Sequence, residues 1–143
     1  MRKTIITLLS ALAILGVTAS VAVAASPHFI KSATSVSRDG NSLVGDFKIS
    51  GLGLTVTQVD VELKADAACV NPGSNKPKAA NKATFSADGT FTVNNGTALG
   101  ELVLSPSFQP DCTPPMSVEF SNVQLIASID GVVVATASIA GTF

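Results

Sequence analysis

From Ser26 onward, apolar and polar residues alternate with a period of two, and no long stretch carries the recurrence of an amphipathic helix. Residues 29–37 read as a first strand, and Asp39-Gly40 is a hairpin signal because glycine tolerates the positive φ of tight turns. Leu43, Gly45, Phe47 and Ile49 then mark one face of a second strand, which Gly51-Leu52-Gly53 breaks. A third strand is predicted over residues 54–66, with Val59, Val61 and Leu63 inward and Asp60, Glu62 and Lys64 outward. The inward parity changes between Val56 and Val59, so a bulge is expected near Thr57-Gln58.

Residues 69–82 differ in kind: Pro72, Gly73, Asn75 and Pro77 with three lysines predict a long polar loop. Residues 83–93 read as a short hairpin about Asp88-Gly89, and Asn94-Asn95-Gly96 turns the chain into a strand over 97–104. A proline-rich connection follows over 105–116. Two strands, 117–129 and 132–142, then flank Asp130-Gly131. Seven or eight strands at hairpin spacing without a helix predict an all-β, two-sheet antiparallel sandwich of immunoglobulin-like type, although the buried Trp of antibody domains is absent. A membrane barrel is rejected, because its aromatic girdles have no counterpart in a chain without Trp or Tyr.

The first residues follow another pattern. Arg2 and Lys3 precede an apolar stretch over residues 5–23, and Ala22-Val23-Ala24 supplies the small residues a signal peptidase admits. A signal peptide over residues 1–25, cleaved after Ala24 or Ala25, is expected, followed by one domain over 26–143. The competing reading is an uncleaved anchor, since about 20 apolar residues can span a bilayer. Cleavage implies a secreted, extracellular protein with no later membrane span.

Removal of Arg2 and Lys3 leaves 7 of the 9 basic residues against 10 acidic ones, a net charge of −3. Scattered, mildly acidic charge excludes nucleic acid as a partner, because that partner requires a concentrated basic face. In an oxidising compartment Cys69 and Cys112 are expected to form a disulfide. The bland alternative is two buried thiols.

No catalytic constellation emerges, and no enzyme activity, metal or cofactor is expected. The sole histidine, His28, lies beside the new N-terminus, where a terminal role is the simpler reading. Asp60 and Glu62 share a strand face, as a glycosidase pair would, but Lys64 continues the row and a solvated charged face accounts for all three. The Asp39, Asp88 and Asp130 turns lack the ligand density of calcium loops. Asn95-Gly96-Thr97 matches a glycosylation sequon and reads as a turn.

One region stands out by charge. Lys76, Lys78 and Lys82 give their loop a local +3. A Cys69–Cys112 bridge would tie it beside Phe108 and Met116, juxtaposing a basic loop with an exposed apolar one. These five residues form the candidate binding site, suited to an anionic cell-envelope polymer or an extracellular protein. The alternative is a stapled connection whose lysines maintain solubility.

Ser26-Pro27-His28-Phe29-Ile30, Cys69-Val70-Asn71-Pro72-Gly73, Pro77-Lys78-Ala79-Ala80-Asn81-Lys82 and Leu104-Ser105-Pro106 resemble a group of small secreted bacterial proteins with no known activity. The resemblance implies a secreted β domain with paired cysteines, and no functional residue transfers from it. Three functions follow in order: a non-enzymatic extracellular binding or surface-associated domain, a subunit of an assembly joined by strand addition, and an inhibitor of an extracellular enzyme. The second rests on Val132, Val134 and Thr136 against Val133, Ala135 and Ala137, apolar on both faces. Burial of that strand inside the sandwich would explain the pattern equally well.

Overall fold

The computed structural model describes residues 25–73 and 81–143. Residues 1–24, which hold all but the last residue of the expected signal peptide, lie outside the described residues. The domain is a two-sheet antiparallel sandwich of eight strands. They are β1 (His28–Phe29), β2 (Ser35–Asp39), β3 (Ser42–Ser50), β4 (Gln58–Val70), β5 (Lys82–Thr92), β6 (Ala98–Leu104), β7 (Ser117–Ile129) and β8 (Val132–Ile139).

In one sheet β3 is central. β6 pairs with it on one side, while β1 and β2 share the other side end to end. The second sheet has the order β5-β4-β7-β8. In immunoglobulin lettering β2, β3 and β6 are A, B and E, and β5, β4, β7 and β8 are C′, C, F and G. The bridge does not join B to F, as in antibody domains. It ties the end of β4 to the β6–β7 connection.

Alternation builds the core directly. Leu43, Phe47 and Ile49 of β3 face Val59, Val61 and Leu63 of β4 and Val123, Leu125 and Ala127 of β7, all buried. Full burial of one such side chain contributes about 1.5–3 kcal/mol. Two inward glycines admit this packing. A Cβ on Gly45 would press on the Leu63 side chain at 3.2 Å. At Gly100 it would collide with the rings of Phe91 and Phe47, which meet edge to face with centroids 4.8 Å apart. Phe91 of β5 thereby reaches across to β6 and closes that side of the sandwich.

The structure corrects several strand boundaries. The predicted first strand is broken by a 3-10 turn at Lys31–Ala33, so that β1 and β2 are separate. Residues 51–57 lie outside any strand, and β4 starts at Gln58 with no bulge there; Leu52 N–H instead donates to Gly96 O at 3.0 Å and Val93 N–H to Thr57 O at 2.9 Å. The bulges lie elsewhere. The register between β4 and β7 shifts between Lys64 and Asp66, leaving Asn122 (φ 52°) as the inserted position. The register between β7 and β8 shifts after Ala127, which inserts Val134.

The predicted hairpin at Asp88-Gly89 is a continuous strand, with Gly89 paired to Val61. Its odd positions Phe85, Ala87 and Phe91 point inward on both sides of Gly89, an unbroken parity that a turn would have interrupted. Gly40, Gly96 and Gly131 do occupy turns, with φ of 59°, 73° and 78°.

Connections gather at the two ends. Residues 51–57, 93–97 and 130–131 share one end. Residues 40–41, 71–73 and 105–116 share the other, where Asn41 Nδ2 donates to Cys112 O at 3.4 Å and the Ser42 and Ser105 hydroxyls meet at 2.8 Å.

Candidate functional site

Cys69 and Cys112 are joined, with Cα atoms 5.7 Å apart. On the loop-closure model a bridge spanning 43 residues removes about 4 kcal/mol of unfolded-chain entropy. Cys69 belongs to β4 and is itself buried, so the staple anchors residues 105–116 to a fixed strand rather than joining two loops.

The other members of the sequence-derived site are described only in part. Lys82 is exposed at the first position of β5, while Lys76 and Lys78 lie outside the described residues. Phe108 is only 7 % exposed and sets its ring against Phe85 at 5.4 Å. Met116 is half-buried, its sulfur 3.8 Å from that of Cys69. The proline-rich segment therefore turns its aromatic ring into the core. The expected exposed apolar surface beside the lysines is not formed by Phe108.

The outward row of β4 is a hydrogen-bonded polar face. Thr90 Oγ1 donates to Asp60 Oδ1 at 2.6 Å, and Glu62 lies directly opposite Asp88. Asp66 accepts from Thr84 Oγ1 at 2.6 Å and from Asn122 Nδ2 at 2.8 Å. Those hydrogen bonds, the Thr84 one foremost, hold its carboxyl below the usual carboxylate range, with Lys82 and Lys64 assisting. Asn122 is the bulge residue, so Asp66 ties β5, β4 and the bulge of β7 together. Among the described residues no three His, Cys, Asp or Glu side chains converge as a metal site. His28 is exposed on β1, with Nδ1 2.8 Å from Ser26 O.

The feature that sequence reasoning left undecided is β8. Among the described residues it pairs with β7 alone and forms one edge of its sheet. Natural edges are blunted by charge, proline, shortness or cover. Here β2 carries Arg38 and Asp39, β5 carries Lys82 and Asp88, β6 carries Glu101, and β1 has two residues. β8 has the sequence VVVATASI, with no charge and no proline. Val132 and Val133 are 65 % and 59 % exposed. The Val134 bulge interrupts it near its start and β1 stands beside its later half, while residues 135–139 continue regularly beyond the bulge.

Beside residues 135–140 runs an open groove of about 470 Å³, whose opposite wall is Pro27, His28, Phe29, Lys31 and Thr34. The Thr34 hydroxyl on that wall is shielded from solvent and has no hydrogen-bond partner. The groove thus combines an unpaired strand edge, small side chains at Ala135 and Ala137, and an unsatisfied polar atom. Such a site can take up an extended backbone.

Among the described residues, fold and edge together define an immunoglobulin-like sandwich with one uncharged sheet edge. No family model matches the chain, and no curated protein matches it. Among solved structures it is similar to the solution structure of R. palustris CsgH, at 15% sequence identity and a TM-score of 0.35, covering 73% of this chain and 87% of that one.

Proposed function

We propose that this is a non-enzymatic extracellular binding domain that joins its partner by strand addition along β8. The observation that carries the reading is the uncharged, proline-free edge of β8 with two exposed valines at its start. An unpaired edge offers a row of N–H and C=O groups, and an added strand satisfies them while alternate side chains supply specificity. The Cys69–Cys112 bridge supports an oxidising, extracellular setting.

The test uses the substitution pair Val133→Lys and Thr136→Lys, both at exposed positions of β8. Charges there blunt the edge without entering the core, so stability should stay within about 0.5 kcal/mol of the parent. Immobilised parent domain should retain its strand partner, whether free parent domain or material from isolated cell envelope, and the double variant should lose it. Equal retention by both would contradict strand addition at β8.

A further inference from the structure

We infer that the strand received by β8 is β8 of a second copy, paired antiparallel about a two-fold axis near Ala137. The inference rests on the strand-addition reading and deepens it by naming the occupant.

Charge complementarity carries the argument. The edge is neutral over its whole length, and a partner strand bearing charge would have to desolvate it against a row that offers no counter-charge. Strands β2 to β7 all carry at least one charged residue, and β1 is only two residues long. β8 is therefore the strand of this chain whose chemistry matches β8.

The regular stretch after the bulge is also self-complementary. Centred on Ala137, antiparallel pairing sets Thr136 opposite Ser138 twice on the outer face, where cross-strand hydroxyl pairs are favourable. On the inner face it sets Ala137 opposite Ala137, small side chains that line the groove beside β1.

Closure completes the case. Isologous pairing uses the same edge on both copies and ends there, because each molecule has one β8. The two sheets become one of eight strands whose outer edges are the two β5 strands, which carry Lys82 and Asp88. The uncharged edge is consumed, and charged edges remain to resist further addition.

The register prescribes the experiment. Thr136→Cys and Ser138→Cys are prepared as separate full-domain variants and oxidised alone and as an equimolar mixture. Directly opposite residues in an antiparallel pair have Cα atoms about 4.5–5.5 Å apart, within the range of a disulfide. The mixture should give at least about tenfold more cross-linked dimer than either variant alone, while Thr90→Cys on the outer face of β5 gives only the collisional background. Sedimentation of the parent should show a dimer that grows with concentration. A parent that stays monomeric at every concentration, with a mixture no better than the Thr90→Cys control, would overturn self-pairing. If envelope capture still depended on Val133 and Thr136, the edge would take a strand from another molecule. Loss of both effects would remove strand addition as well.

Discussion

At the residue scale, Gly100 shows how one missing Cβ sets a contact between sheets. It lies on β6 opposite Phe47 and beneath the ring of Phe91, the residue that links β5 to β6. Gly100→Ala must displace one ring from a filled core, and overpacking of this kind costs about 1–3 kcal/mol. Chemical denaturation should report that loss with an unchanged slope. The composition and parity of the sequence display this glycine, but not its reason. Gly89 looks like a turn residue beside Asp88, yet lies within a strand where Phe91 and Leu102 approach its missing side chain at 3.3–3.4 Å. Only the unbroken alternation from Phe85 to Phe91 separates the two readings.

At the scale of elements, the hairpin turns at Gly40 and Gly131 and the extent of β7 are legible in the sequence because local turn chemistry and period-two burial determine them, and the Cys69–Cys112 bridge because two cysteines allow one pairing. The bulge in β7 went unread, although the parity of the sequence carries it. Val118 and Phe120 point inward on even numbers, Val123 and Leu125 on odd, and Asn122 absorbs the change. Asp66 pins that bulge through Asn122 and also accepts from Thr84. Because its pKa is lowered in the fold, its contribution is present above the ordinary carboxylate range and is lost as pH falls through the folded value. Melting temperature followed from pH 6 to about pH 2 should therefore fall less steeply for Asp66→Asn than for the parent. An identical slope would mean that the Thr84 and Asn122 hydrogen bonds do not favour the ionised form. By contrast, Phe108 was illegible as core. Four prolines around it predict an exposed loop, and only the fold shows its ring against Phe85.

At the scale of the whole molecule, sequence cannot say which strand is an edge. The apolar alternation of β8 fits a strand buried on both faces as well as one lying open, and sheet order decides between them. That order puts β8 outermost and leaves Val132 and Val133 exposed. Amide hydrogen exchange tests this central claim most directly, because it reads each backbone N–H of β8 separately. In dilute, monomeric protein every second amide of β8 should exchange quickly, its partners on β7 accounting only for the alternate ones. On concentration, or on binding the partner, the fast set should become protected while the rest stays unchanged. Uniform protection of β8 in the dilute monomer would contradict the account, since the edge would already be covered by the chain itself.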